Sequence, residues 1–243
     1  MLVKTRGIVL RNVRYGETSL ITDIYTRELG LQSYLIQGAR KPRAPLPASL
    51  FQVMTILDLV VHHQEKSSLK RIREVAPGFH YQYLQRDIRP NATGLFLIEV
   101  IRQALPHTEP HAGLFEYLEE TFTDLDRPET RLPVYLLERL LGLTALLGFH
   151  PGGAWSADRP YFDLREGHYC GLPPPHPDYL LPEAARALSG LYAPSGPGPE
   201  PEPDNAVRRM LLQGLLDYYR LHLDHFREPR SQAILRQVLH PEG

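Results

Sequence analysis

This chain of 243 residues has little cysteine, lysine or tryptophan. A single cysteine, Cys170, excludes an internal disulfide framework and any zinc site built from several thiolates. Such usage fits a reducing compartment. No apolar stretch approaches the roughly 20 residues of a membrane helix. The opening Met1-Leu2-Val3-Lys4-Thr5-Arg6 has no apolar core of signal-peptide type. These absences predict a cytoplasmic protein with no membrane partner. Catalytic signatures are missing too: there is no G-x-x-x-x-G-K-S/T phosphate loop, no G-x-G-x-x-G and no G-x-S-x-G elbow. The expectation is a protein that is not an enzyme and has no cofactor.

What is present is a lopsided charge map. All four lysines, Lys4, Lys41, Lys66 and Lys70, lie in the first 70 residues. Through residue 80 there are 12 Lys and Arg against 6 Asp and Glu; the remainder carries 15 against 22. The net charge of −1 therefore hides a basic module joined to an acidic one. That asymmetry points to a polyanionic partner for the first module alone.

Residues 1 to 76 read as five strands rich in β-branched and aromatic residues: Val3–Tyr15, Ser19–Thr26, Gln32–Gly38, Phe51–His62 and Leu69–Val75. Gly16 and Gly30 offer positive φ at the two hairpin connections, and Gly7 is a natural bend in the long first strand. Three strands, a longer break and two more form the strand set of an OB-fold, with an SH3-like barrel as the alternative. Prolines at 42, 45 and 47 argue for a mobile or extended basic loop where an OB-fold usually has a helix.

The period turns helical after Pro77. Asn91 is placed to cap a helix to Leu105, Leu114 to Leu125 form an apolar stripe, and Pro133 to Leu147 is apolar nearly all round before Gly148. Residues 149 to 203 read as irregular and proline-rich, with a short helix near Pro182–Leu191. Helices return at Asn205–Phe226, capped by Asp204, and from Ser231 to Leu239. The expected class is α+β and multidomain. An OB-fold domain spans 1–78, a helical bundle takes 79–150 and 204–243, and an irregular insertion covers 151–203.

Candidate DNA contacts follow from the basic module. Lys4, Arg6, Arg11 and Arg14 lie on the first strand, and Arg40, Lys41 and Arg43 in the proline loop. Lys66, Lys70, Arg71 and Arg73 lie in or after the last hairpin, and Tyr15, Tyr25 and Tyr34 supply aromatic faces. Cations that neutralise phosphates beside rings that stack on bases are what a single strand requires. The competing reading is a protein adaptor that binds no DNA and docks partner tails, its positive charge only steering association. A third, a hydrolase using His222 and His225 three apart on a helix, finds no third metal ligand in the sequence.

Gly7-Ile8-Val9-Leu10, Tyr15-Gly16-Glu17, Gly30 and Gly38-Ala39-Arg40-Lys41, in this order, resemble the opening of the bacterial recombination mediators of the RecO family. The helical region with an insertion is similar to that family as well. The resemblance implies binding of single- and double-stranded DNA and annealing of complementary strands, including strands coated by single-stranded DNA-binding protein (SSB). It implies partnership with RecR, indirect action on RecA, and location at the nucleoid when active. It also implies a site for the acidic C-terminal tail of SSB on the helical part, where Arg131, Arg139, Arg208 and Arg209 flank apolar positions. Many members of the family carry a four-cysteine zinc module in the insertion. Here the segment from Gly152 to Tyr179 keeps only Cys170, so no structural zinc is expected. Trp155, Tyr161, Phe162 and Tyr169 are the residues available to hold its shape.

Overall fold

The structure is a computed structural model that describes residues 1–63, 69–105, 109–192 and 202–239. Its contacts group into two units, Met1–Pro128 and Glu129–Gly243.

The first unit opens with strands β1 (Leu2–Tyr15), β2 (Ser19–Thr26), β3 (Gly30–Ile36), β4 (Ile56–His62) and β5 (Arg71–Pro77). They form an antiparallel sheet in the order β3-β2-β1-β4-β5. The outer strands β3 and β5 meet through a parallel bridge at Tyr34 and Lys70, where the Leu35 N–H donates to the Lys70 carbonyl at 3.0 Å and the Lys70 N–H to the Ser33 carbonyl at 2.9 Å. This is OB-like strand order. Alternation along β2 and β4 buries Leu20, Ile24, Leu57, Leu59 and Val61 in one core with Tyr34 and Phe51. Each such side chain contributes about 1.5–3 kcal/mol by leaving water.

The pairing of the long first strand is irregular just beyond Gly7. The register with β2 slips between Val9 and Arg11, a bulge that accommodates a 14-residue strand in a curved sheet. Gly7 serves close packing instead: a Cβ there would lie 2.6 Å from Ile24 Cγ2. Gly30, at φ 63°, turns β2 into β3. The fourth strand starts at Ile56, because Ala48–Phe51 forms a 3-10 turn and Met54 takes φ 74°. Phe51 still reaches the core, fully buried.

Helices α1 (Ile88–Ala104) and α2 (Ala112–Asp124) belong to the same unit as the sheet. Asp87 caps α1 by accepting from the Arg89 N–H at 2.9 Å, so Asn91 sits inside the helix. Gly94 has no room for a side chain, since a Cβ would lie 2.3 Å from Met54 Sδ. The buried Asp126 carboxylate accepts from the N–H groups of Gln82, Tyr83 and Leu84 at 2.8–2.9 Å and ties the chain after β5 to the end of α2.

The second unit holds α3 (Leu132–Leu147), a small sheet of β6 (Tyr161–Asp163), β7 (His168–Cys170) and β8 (Tyr179–Leu180), then α4 (Pro182–Gly190), α5 (Asn205–His222) and α6 (Gln232–Leu239). Gly148, at φ 85°, ends α3. Asp204 caps α5 through the Val207 N–H at 2.8 Å. Helix α5 ends at His222, and Phe226 folds back onto Tyr219 at 5.2 Å between ring centroids. The segment expected to be irregular carries the ordered sheet β7-β6-β8. Its strands are too short for a period of two to register in sequence. They are held by ring packing, with Phe162 on Tyr169 at 4.9 Å and on Tyr218 at 5.9 Å.

Candidate functional site

The structure sorts the basic residues of the first unit into groups with different surroundings. One group converges. The turn between β1 and β2 and the loop after β3 are stitched together: the Arg40 N–H donates to the Thr18 carbonyl at 2.9 Å, its guanidinium to the Glu17 carbonyl at 3.1 Å, and the Gly38 N–H to Ser19 Oγ at 3.3 Å. Tyr15 lies opposite Ser19 and Arg14 opposite Leu20 in the β1–β2 register. Arg14, Tyr15, Arg40, Lys41 and Arg43 are exposed at this end of the sheet, Tyr15 by 53%.

The proline loop is folded into hydrogen-bonded turns rather than extended. The Lys41 N–H donates to the Gly38 carbonyl at 2.9 Å, the Ala44 N–H to the Lys41 carbonyl at 3.3 Å, and the Ala48 N–H to the Ala39 carbonyl at 2.9 Å, which closes the base. Arg43 takes φ 57° at the corner between Pro42 and Pro45. The prolines set the turns instead of opening the loop, and the three cations stand exposed on it.

The other candidates are differently employed. Arg6 forms ion pairs with Asp58 at 3.4 Å and Glu119 at 2.8 Å and donates to the Gly78 carbonyl. Lys4 and Arg6 line a groove that also presents Glu28, Asp58 and Glu74, an excess of negative charge. Arg11 faces Asp23 at 3.8 Å, and Arg73 faces Glu74 at 3.4 Å. Lys70 donates to Gln32 at the β3–β5 junction, and partial burial holds its ammonium below the usual lysine pKa. Arg71 is exposed, and Lys66 lies outside the described residues.

Two aromatic candidates are corrected. Tyr25 is 2% exposed and Tyr34 fully buried, so neither ring is open to a base. Tyr34 packs in the core of the five-stranded sheet, where burial pushes its phenol pKa up. Tyr25 sits on the opposite face of the sheet beside the backbone of His111, and burial raises its pKa as well. Tyrosine suits both a stacking platform and a core, and only its place in the register distinguishes them.

In the second unit, Arg208 and Arg209 of α5 lie at a cleft floored by Leu136 and Leu137 of α3 and Leu212 of α5. Arg208 Nε is buried without a hydrogen-bond partner among the described residues. Arg131 and Arg139 are elsewhere: Arg131 pairs with Glu202, and Arg139 lies over the Tyr135 ring at 4.8 Å. Sequence reasoning missed Arg236 of α6, which joins the cleft with Leu235 and Leu239. The i, i+4 leucines of that last helix were its only signal.

Residues 1–78 match the family model described as recombination protein O N terminal, and residues 85–232 match that for recombination protein O C terminal. The chain belongs to the RecO family. Proteins named DNA repair protein RecO are among its relatives: that of Flavobacterium johnsoniae is 30% identical over 98% of this chain and 99% of the relative. The corresponding proteins of Christiangramia forsetii and Phocaeicola vulgatus are 32% and 29% identical over the same shares.

The zinc module that the RecO resemblance implies does not fit the residues present. Cys170 is the single thiol, and its Sγ lies 3.9 Å from the Tyr161 carbonyl within the sheet β7-β6-β8. Burial and the nearby Asp163 push its pKa up, away from the thiolate a metal needs. His176 pairs with Asp163 at 3.3 Å. Among the described residues no group of three or more His, Cys, Asp or Glu is placed to hold a metal. His222, the hydrolase candidate, bonds the Tyr218 carbonyl at 2.9 Å and stacks on Phe149 at 5.3 Å. No helix among the described residues is long and apolar enough to cross a membrane.

Proposed function

We propose that this RecO-family chain acts in recombinational DNA repair as a DNA-binding protein that anneals complementary single strands. With RecR it helps load RecA on SSB-coated DNA. The observation that carries this reading is the folded loop Arg40–Arg43, joined by hydrogen bonds to the β1–β2 turn beside Arg14 and Tyr15. Annealing requires no bond chemistry. Fixed cations lower the repulsion between two strands, release counterions and hold both while base pairing drives the reaction. Tyr15 offers one exposed ring on which a base can stack without sequence readout.

A second contact serves SSB-coated strands. An acidic peptide tail presents carboxylates and an apolar end, and the cleft with Arg208, Arg209 and its leucine floor has the complementary chemistry. Capturing the tail brings the coated strand to the basic loop.

The test is an annealing assay on complementary oligonucleotides, bare and coated with SSB that either has or lacks its C-terminal tail. The expected result is annealing of bare strands and of strands coated with intact SSB, and loss of activity with tail-less SSB. Absence of binding to short single strands at low salt would leave the adaptor reading in place of the DNA-binding one.

A further inference from the structure

The outer face of the five-stranded sheet, turned away from its core, is open only in part. Near the middle of β1 it is closed. Ile8 and the opposite Tyr25 are buried there, Tyr25 beside the backbone of His111, and Arg27 pairs with Glu116 of α2 at 2.6 Å. Towards the basic loop the face opens. The β1–β2 and β2–β3 registers set Val13, Ile21 and Leu35 side by side across three strands, with Tyr15 next along β1 on the same face. Val13 is 38% exposed, and Ile21 and Leu35 are half-buried. A contiguous row of aliphatic side chains in reach of solvent marks an interaction site.

The border of this face away from the loop is cationic as well. Arg11 lies opposite Asp23 in the register but 3.8 Å from its carboxylate, which already accepts from Ser33 Oγ at 2.6 Å. Arg102, in the last turn of α1, comes beside the same group. It is exposed and makes no ion pair among the described residues. Partial burial and the charge of Arg11 hold its guanidinium below the usual arginine range, against the opposing pull of Asp23 and Glu99. Two guanidiniums that repel each other beside a carboxylate engaged elsewhere gain from an anion placed between them.

The aliphatic row therefore lies between two cationic borders, the loop Arg40–Arg43 on one side and Arg11 with Arg102 on the other. Arg11 and Tyr15 are about 13 Å apart along β1 at about 3.4 Å per residue, the length of about four stacked nucleotide steps. A polyanion with flat apolar faces is complementary to such a strip. A duplex is not, because its bases are paired and stacked inside and phosphates are what it presents to a sheet. An unpaired strand offers phosphates and free base faces together.

We propose that this strip is the element that tells an unpaired strand from a duplex: bases rest on Tyr15, Val13, Ile21 and Leu35 while Arg11 and Arg102 hold a phosphate between them. This inference rests on the DNA-binding function proposed above and adds the specificity of that site. The loop Arg40–Arg43 holds phosphates of either form, since such contacts position without reading. The strip responds only to bases that are free. Helix α1 thereby contributes to DNA binding from outside the sheet. The charge count along the chain does not show this, because Arg102 lies in the acidic part of the sequence.

The experiment follows the anisotropy of a labelled oligothymidine strand of about 15 nucleotides, and of a hairpin duplex of similar length, over a range of salt. Val13→Ser with Leu35→Ser should weaken the single strand about tenfold and the duplex less than about twofold. Arg102→Ala should weaken the single strand about fivefold and lower its log–log salt slope by about 0.7, as expected of one phosphate contact. Arg102→Lys should restore the slope. A merely structural role of these residues would change both affinities together and leave the slope unaltered. Leu35→Trp gives a readout that needs no loss of binding. Its emission, taken as the difference from the unsubstituted chain with Trp155, should be quenched by the single strand and not by the duplex. Equal losses on strand and duplex, or an unchanged slope for Arg102→Ala with no quenching of Leu35→Trp, overturn the strip and leave DNA binding by the loop standing. Failure of the unsubstituted chain to bind either probe overturns both.

Discussion

Two clusters of cations in this molecule have the same formal charge and different surroundings. Arg40, Lys41 and Arg43 stand exposed on a loop held by backbone hydrogen bonds, whose apolar residues Ala39, Leu46 and Ala48 are turned to the core of the sheet. Arg208, Arg209 and Arg236 border Leu136, Leu137 and Leu212. The first arrangement suits a ligand that is charged everywhere and uniform along its length, since phosphate contacts position without reading. The second suits a ligand with one apolar end, since only such an end gains from the leucines. On the function proposed above, charge draws a polyanion to either cluster, and the surface beside the charge decides which polyanion stays.

The largest effect that tests this contrast is expected at the loop. Replacing Arg40, Lys41 and Arg43 together by alanine should weaken single-strand binding about a hundredfold at low salt and flatten the log–log salt slope by about 2, three phosphate contacts at about 0.7 each. Binding of the acidic peptide should be unchanged. A slope and affinity equal to those of the unsubstituted chain would remove the loop from the DNA face. Next in size, Arg208→Ala with Arg209→Ala should weaken the acidic peptide about thirtyfold, as expected for two charge-assisted contacts. Its annealing of bare strands should be intact, and a matching loss there would merge the two clusters into one site. The smallest effect is expected at Lys4. Lys4→Ala should change DNA affinity less than about twofold, because an exposed lysine among Glu28, Asp58 and Glu74 is a weak phosphate contact. A loss as large as that of the loop variant, measured by the same titration, would extend the DNA face along β1.

Much of the fold is legible in the residues, and the exceptions have physical causes. Strands β1 to β3 show in their β-branched residues and in Gly16 and Gly30, because side-chain alternation and positive φ are local demands. Helix α3 shows in its leucines and in Gly148 for the same reason. The start of β4 does not: Val53 and Met54 read as strand, while Met54 at φ 74° serves contact with Gly94, 40 residues away in sequence. The small sheet β7-β6-β8 does not either, since rings of Phe162, Tyr169 and Tyr218 hold strands too short to carry a pattern.

The candidate site divides along the same line. Arg40, Lys41 and Arg43 are adjacent in the chain, so their joint charge is visible before folding. Tyr25 and Tyr34 have the right composition and the wrong place, because the face of a strand that is buried depends on what packs against it. Arg6 reads as a DNA contact until Glu119 of α2 comes within 2.8 Å.

The residues alone determined that a basic five-stranded module precedes an acidic helical region, and that one cysteine cannot build a thiolate metal site. These are properties of composition and local period, which any conformation of the chain preserves. Tertiary structure decided which cations remain available and what lies beside them. It paired Arg6 and Arg11 with acids, buried Tyr25 and Tyr34 while leaving Tyr15 exposed, and gathered Arg208, Arg209 and Arg236 from two helices around one leucine floor. Availability depends on neighbours distant in sequence, and only folding brings those neighbours within reach.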